Sequence, residues 1–105
     1  MRDELHVTRE RSGAGEKLCV SGELDITRAP ALERAVAGAV DGHRGQLRLD
    51  ISRLAFIDPT GGQALLHVHN AIEARGDRAV FERPQEEVLS VLRLLGLEQV
   101  LDIRP

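Results

Sequence analysis

The first 24 residues contain two short stretches of alternating polarity separated by a polar segment. Residues 4–9 alternate in part, and residues 17–24 alternate more regularly, with Leu18 and Val20 on one side. Residues 11–16 include two glycines and have the composition of a turn. The pattern predicts a β-hairpin whose first strand is an edge strand.

The hydrophobic period then lengthens to that of a helix. In residues 25–42, apolar residues such as Leu32 and Val36 recur at helical spacing, which predicts an amphipathic helix. Thr27 is a candidate N-cap, because its hydroxyl can accept a hydrogen bond from a free backbone N–H of the first turn. Alternation returns in residues 46–52 and predicts a strand covered chiefly on one face.

The rest of the chain repeats this change of period. Residues 59–75 have the spacing of a second helix, residues 78–82 predict a short strand, and residues 84–96 predict a third helix. Residues 99–103 predict a last strand. The order ββαβαβαβ predicts an α/β fold with a mixed four- to five-stranded sheet and helices packed on it. The length of 105 residues predicts a single domain, 1–105.

Composition and charge narrow the function classes. The chain is 42% hydrophobic but contains only two Phe and no Trp or Tyr, so its core must be aliphatic and it lacks aromatic platforms for stacking bases. The formal net charge of −3 offers no basic surface for a phosphate backbone. Direct nucleic-acid binding is therefore not expected.

The single cysteine and the apolar runs bear on cellular location. Cys19 has no second cysteine for an internal disulfide. No apolar run approaches the ~20 residues that span a bilayer, and the first ten residues lack the apolar region of a signal peptide. We expect a cytoplasmic protein without a membrane partner.

Familiar catalytic and metal-binding motifs are missing from the sequence. His67 and His69 would share one side of a strand, but they point in different directions on the predicted helix, so no metal site is expected. No G-x-S-x-G elbow and no phosphate-binding glycine loop occurs. A Ser/His/Asp site assembled in space from distant residues stays open.

The stretch FIDPTGGQALL at the start of the second helix has unusual residues for that position. Asp58 is a good N-cap, Pro59 then falls at the first helical position, and Thr60 lies in the first turn. Gly61 and Gly62 follow, although glycine inside a helix costs about 1 kcal/mol relative to alanine. Either the glycines leave the Thr60 hydroxyl open to another protein, or they let the helix pack closely against a strand.

Three segments together resemble the STAS domain family, and specifically its free-standing anti-sigma factor antagonists. They are GELDITRAPALERAV, LRLDISRLAFIDPTGGQALL and EVLSVLRLLGLEQVLDI, and the resemblance runs from about Lys17 to Ile103. It implies a regulatory module that binds an anti-sigma factor which is itself a serine kinase of the histidine-kinase-like ATPase fold. Binding frees a sigma factor, and phosphorylation of the antagonist breaks the complex.

The resemblance also implies which residues act. The family's motif at the helix start is Asp-Ser-Ser-Gly-Leu, with phosphate usually on the second Ser, so Thr60 is the implied phosphorylation site. ATP and Mg²⁺ would belong to the partner kinase, so no cofactor and no enzymatic activity are expected of this chain, and a phosphatase is a further candidate partner. The implied partner-binding residues are Gly22, Glu23, Leu24, Asp25, Asp58, Pro59, Thr60, Gly61 and Gly62.

Alternative functions remain for the same residues. One is a STAS scaffold or sensor that binds without phosphorylation, and another is a STAS subunit that accompanies a transport system. A third is a small hydrolase using Asp25, Asp58 and a histidine. A hydrolase requires a concave pocket with convergent titratable groups, whereas a phosphorylation switch requires an exposed Thr60.

Overall fold

In a computed structural model, which describes residues 4–12 and 15–105, the chain forms the predicted ββαβαβαβ order with one short 3-10 helix added. The mixed sheet has five strands, and three α-helices connect its parallel strands. The strands are β1 His6–Ser12, β2 Gly15–Leu24, β3 Gln46–Ile57, β4 Arg78–Glu82 and β5 Ile103–Arg104. The helices are α1 Ala29–Val40, α2 Pro59–Ala74 and α3 Glu86–Leu94, and the 3-10 helix is Leu97–Gln99.

The strands lie side by side in the same order as in the sequence. β1 pairs with β2 antiparallel, as a hairpin must, and each later strand pairs with the preceding one in parallel. Crossovers between parallel strands are nearly always right-handed. Because the sheet never reverses its strand order, such crossovers place all three helices on one face.

The core lies between that face and the helices, and it follows the predicted periodicities. The alternating strand residues that point towards the helices are buried, as are the helical stripes that meet them. The buried core includes Leu18, Val20, Leu32, Val36, Leu47, Leu49, Ile51, Leu65, Val68, Ile72, Phe81, Val88 and Leu92.

The opposite face of the sheet is polar. Asp50, the central group, is buried and lies 3.3 Å from the Lys17 Nζ, and the Arg83 guanidinium also donates to its carboxylate. Arg83 follows β4 with a positive φ of 57°, a backbone region that is uncommon for residues other than glycine. These ion pairs join β2, β3 and the end of β4 on the side without helices.

Three predictions of local structure were wrong in part. The strands of the hairpin extend into the predicted turn at 11–16, of which residues 13 and 14 lie outside the described residues. α1 begins at Ala29 rather than directly after Thr27, because a turn at residues 25–28 precedes it. The predicted last strand at 99–103 overlaps β5 only at Ile103, because Gln99 ends the 3-10 helix and Leu97 accepts from the N–H groups of Val100 and Leu101.

Candidate functional site

The two segments singled out in the sequence meet at one edge of the sheet. β2 and β3 are parallel, and Leu24 at the end of β2 lies in register with Ile57 at the end of β3. The backbone N–H of Asp58 donates to the Leu24 carbonyl oxygen at 3.2 Å. The turn that follows β2 and the helix start that follows β3 are therefore held side by side.

Asp58 caps α2 as predicted. Its backbone is extended, and its carboxylate accepts a hydrogen bond from the Gly61 N–H at 2.7 Å. Its carbonyl oxygen accepts from the Gly62 N–H at 3.0 Å, which begins the helical hydrogen bonds. Pro59 occupies the first helical position, where its missing N–H costs nothing. The half-buried Asp58 carboxylate thus fixes the direction in which the first turn leaves the sheet.

Close packing explains both glycines. A Cβ atom at Gly61 would lie 2.3 Å from the Leu24 carbonyl oxygen and 2.8 Å from Cγ1 of Ile57, so the helix can approach the strands only without a side chain there. A Cβ atom at Gly62 would lie 2.4 Å from Cδ1 of Leu95, at the end of α3. Of the two interpretations of the glycine pair, the contacts support close packing. They also show that the first turn of α2 touches both β2 and the end of α3.

Thr60 is exposed in this first turn. It is the second residue of α2, and it lies next to the exposed Pro59. The N-terminal turn of a helix carries free N–H groups and a partial positive charge, which stabilise an anion. A phosphate on the Thr60 oxygen would lie where the helix favours negative charge.

Asp25 stabilises the neighbouring turn from within. Its Oδ1 accepts from the Thr27 hydroxyl at 2.8 Å and from the backbone N–H groups of Thr27 and Arg28, and Arg28 Nη1 lies 2.7 Å from Oδ2. The Thr27 hydroxyl lowers the pKa of Asp25 against the opposing effect of burial, and Arg28 lowers it further. The carboxylate is only 6% exposed, so it holds the turn that leads into α1.

The backbone conformation and the close approach of β1 both require a glycine at position 22. Its φ is +97°, and a Cβ atom there would lie 2.0 Å from the carbonyl oxygen of Glu4. The pairing of β2 with β3 is irregular between Gly22 and Glu23, so the strand bends as it approaches the site. Leu24 is fully buried and Glu23 is half-buried.

Sequence reasoning missed Ile26 as a candidate residue of this site. Its side chain is 66% exposed, and it lies immediately after Asp25 at the same edge of the sheet as Thr60. A signal was present in the sequence, because Ile26 is a large apolar residue that belongs neither to the alternation of the preceding strand nor to the helical stripe of α1.

Two of the histidines lie near glutamates, whereas His6 pairs in register with Ser21, next to Gly22. His43 Nδ1 is 3.8 Å from Glu16 Oε2, and His67 Nδ1 is 3.7 Å from Glu33 Oε1. Among the described residues, no ion pair joins a histidine to Asp25 or Asp58. His67 and His69 lie on α2 as predicted, and the described part of the chain holds no group of three potential metal ligands.

A concavity lies on the polar face of the sheet, and Thr60 does not line it. Its volume is about 400 Å³, and its lining includes Cys19 and Asp50. The Cys19 thiol donates to Glu10 at 2.7 Å, and burial, followed by this hydrogen bond to a carboxylate, raises its pKa. The thiol is therefore held in its unreactive protonated form.

Among the described helices, none combines the length and the apolar character that crossing a bilayer requires.

Comparison with known proteins identifies the fold and the family of the chain. No curated protein sequence matches the chain. Several solved structures share its fold, and three of them are described here. An anti-sigma factor antagonist from Mycobacterium paratuberculosis is 22% identical with a TM-score of 0.85, over 97% of this chain and 86% of that chain. The unphosphorylated anti-sigma factor antagonist SpoIIAA is 20% identical with a TM-score of 0.70, over 93% and 87%.

The third structure is the Bacillus cell fate determinant SpoIIAA in its phosphorylated form. It is 21% identical with a TM-score of 0.65, over 93% of this chain and 90% of that chain. At these identities the likeness concerns the fold. A family profile described as "Mlab, STAS domain" matches residues 7–103, which is nearly the whole sequence. The chain therefore belongs to the STAS domain family.

Proposed function

We propose that this chain is an anti-sigma factor antagonist that binds an anti-sigma factor with serine kinase activity and releases it when Thr60 is phosphorylated. The observation that carries the proposal is the exposed Thr60 in the first turn of α2, beside the turn that follows β2. Two structural neighbours are anti-sigma factor antagonists, and a third structure shows one such protein, SpoIIAA, in a phosphorylated form. This similarity supports the proposed role.

The proposed partner-binding residues divide into two groups by burial. Pro59 and Thr60 are exposed and would contact the partner directly. The others would act by positioning, because their side chains or backbones hold the two turns together at the sheet edge. These positioning residues are Gly22, Glu23, Leu24, Asp25, Asp58, Gly61 and Gly62.

The proposed switch is a change of charge inside a docking surface. A phosphate adds about −1.5 to −2 charges at neutral pH, and the helix N-terminus stabilises that charge in the free protein. In the complex the same charge loses water or meets like charge on the partner. A difference of about 2–3 kcal/mol would weaken binding about 30- to 150-fold. ATP and Mg²⁺ would be bound by the partner kinase.

The alternative functions require different features at this edge of the sheet. A scaffold or sensor of the STAS family would bind its partner at the same edge without regard to phosphorylation. A hydrolase would need a histidine beside Asp25 or Asp58, and among the described residues no ion pair joins a histidine to either carboxylate. The exposed position of Thr60 favours the switch over the hydrolase.

The proposal is tested with Thr60→Ala and Thr60→Glu. The unmodified chain and Thr60→Ala should retain an ATPase-fold anti-sigma factor kinase from the source cells, identified by mass spectrometry, whereas Thr60→Glu should lose it. Incubation of the purified pair with ATP should add one phosphate to the unmodified chain and none to Thr60→Ala.

A matched control separates the position from the charge. Thr8→Glu places the same charge at another exposed threonine, on β1, and should bind like the unmodified chain. Equal recovery of the kinase by all the variants would remove Thr60 from the mechanism and favour the scaffold interpretation. Recovery of no kinase by any of them would contradict the proposed function.

A further inference from the structure

The concavity on the polar face of the sheet has no part in the proposed function. Its volume of about 400 Å³ is within the range of small-molecule sites. Thr8, Cys19 and Asp50 line it from β1, β2 and β3, and Cys19 is in register with the other two. Core side chains of the same strands, such as Leu18 and Leu49, point to the opposite face, where the helices pack. The concavity therefore opens on the side of the sheet away from the helices.

The charged side chains around the concavity leave a surplus of positive charge. Three cationic side chains line it, those of Lys17, Arg53 and Arg83, against the two carboxylates of Glu10 and Asp50. The surplus is one positive charge, in a chain whose formal net charge is −3. Because a cleft focuses the field of the charges that line it, this surplus attracts anions to a molecule that is negative as a whole.

Asp50 does not use all the donors of its two cationic partners. One of its carboxylate oxygens, Oδ2, meets both the Lys17 ammonium and the Arg83 guanidinium, whereas Oδ1 accepts from the backbone N–H of Ser52. An ammonium has three N–H donors and a guanidinium has five, so one shared oxygen cannot satisfy them. The Arg83 side chain is 54% exposed, and its remaining donors can therefore reach a molecule in the concavity.

The backbone fixes Arg83 at the rim of the concavity. Its φ of 57° is uncommon for a residue other than glycine, and such conformations cluster at functional sites. Its N–H donates to the Arg104 carbonyl oxygen at 2.7 Å, and the Gln85 side chain donates to the Ser52 carbonyl oxygen at 2.9 Å. The segment after β4 is thus joined to both β5 and β3, so a ligand would not have to order it on binding.

We propose that this concavity binds a small oxyanion, a molecule that bears a carboxylate or a phosphate group. Lys17, Arg53 and Arg83 would supply the charged donors, since ammonium and guanidinium groups suit both kinds of anion. The hydroxyls of Thr8 and Ser21 also line the concavity and can donate to the rest of the molecule. The described residues of the lining include no aromatic side chain, so a nucleotide base would have no stacking partner and a small aliphatic molecule is favoured.

The experiment titrates the isotopically labelled full chain with succinate and, separately, with inorganic phosphate, and follows the backbone amide signals by NMR. Sodium chloride at matched ionic strength is the reference, because it reproduces screening without an oxyanion. At least one of the two probes should bind saturably and shift the amide signals of Lys17, Ser21 and Ser52. A preference for succinate or for phosphate would support the site and identify the group that it selects.

Two substitutions test the cationic side chains. Arg53→Gln removes an exposed charge at the concavity and should raise the Kd of the bound probe about threefold. Lys17→Met removes a half-buried donor beside Asp50 and should raise the Kd about tenfold. Arg34→Gln removes the same charge as Arg53→Gln from an exposed position on α1, and this matched control should bind like the unmodified chain. Because Arg53 is exposed, Arg53→Gln should keep the thermal unfolding midpoint of the unmodified chain.

The contradicting outcomes are distinct. Failure of both probes to saturate would overturn the inference. An equal loss of affinity in Arg53→Gln and Arg34→Gln would also overturn it, because attraction by net charge alone would then explain the binding. Saturable shifts confined to Gly61 and Gly62 would assign the anion to the start of α2 instead of the concavity. These measurements involve neither a partner protein nor a change at Thr60, so their failure would leave the proposed function standing.

Discussion

Gly61 and Gly62 are neighbours in the sequence, but their surroundings differ. Gly61 faces the backbone of β2, where the Leu24 carbonyl oxygen and Cγ1 of Ile57 leave no room for a methyl group. Gly62 faces the end of the Leu95 side chain, which can rotate away. Two identical residues at the start of one helix therefore differ in how much substitution they tolerate.

Gly61→Ala should lower the free energy of unfolding by about 2–3 kcal/mol, because its Cβ meets a backbone oxygen that cannot move without separating α2 from β2. Gly62→Ala is the matched control. It should stay within about 1 kcal/mol of the unmodified chain, since the gain in helix propensity offsets the shift of Leu95. Urea unfolding of both variants checks the difference, and equal stabilities would contradict the contacts described for Gly61.

The sequence could not decide between the two interpretations of this pair. A glycine that exposes Thr60 and a glycine that packs against a strand have the same composition, and only the neighbouring atoms distinguish them. The Asp58 and Pro59 positions were predictable, because capping depends on local backbone chemistry. The exposure of Leu94 was not, since it depends on which side of α3 the sheet leaves uncovered.

At the level of elements, the start of α2 combines a capping carboxylate with the proposed phosphorylation position. Asp58→Ala removes the acceptor for the Gly61 N–H and should lower the free energy of unfolding by about 1 kcal/mol. Asp58→Asn retains a side-chain oxygen and should recover most of that loss. Both variants lose the negative charge at the helix start, so the difference between them in urea unfolding measures the cap alone. Equal losses would assign the effect to the charge rather than to the hydrogen bond.

Elements were predicted well where a strong period coincided with local end signals. α2 and β4 lie within a residue of the predicted ranges, because proline, glycine and clear periodicity agree there. The last strand was predicted too early, because Leu97 and Leu101 are buried through a 3-10 turn that alternation alone does not indicate. Thr27 resembled an N-cap, but its hydroxyl donates to Asp25 in the turn before the helix.

For the whole molecule, the sheet has an apolar face under the helices and a polar face joined by ion pairs. Asp50 is the centre of the polar face, where Lys17 from β2 and Arg83 after β4 meet its carboxylate. Alternation predicted the apolar face of β3, but the partners of Asp50 could not be predicted, because they depend on strand order and on the bend at Arg83. These contacts connect three segments that are distant in sequence.

Because of Asp50, the free energy of unfolding should decrease as the pH falls into the acid range. Burial by itself would raise its pKa, but hydrogen bonds from Ser52 and Lys17 and the charge of Arg83 outweigh burial and lower it from 3.8 to about 2. Because the folded pKa is the lower one, the ionised carboxylate stabilises the fold above about pH 4, and this contribution is lost as the pH falls towards about 2.

Asp50→Asn should therefore lower the free energy of unfolding at pH 7 by about 1–2 kcal/mol, a value reduced by the solvent exposure of Arg83. The gap between the variant and the unmodified chain should narrow between pH 4 and pH 2, because protonation then removes the same charge from the unmodified chain. Urea unfolding across this range measures the gap, and Asp41→Asn, at an exposed position after α1, is the matched control for the removal of one negative charge. A gap that stays constant down to pH 2 would mean that the hydrogen bonds of Asp50, and not its charge, join the three segments.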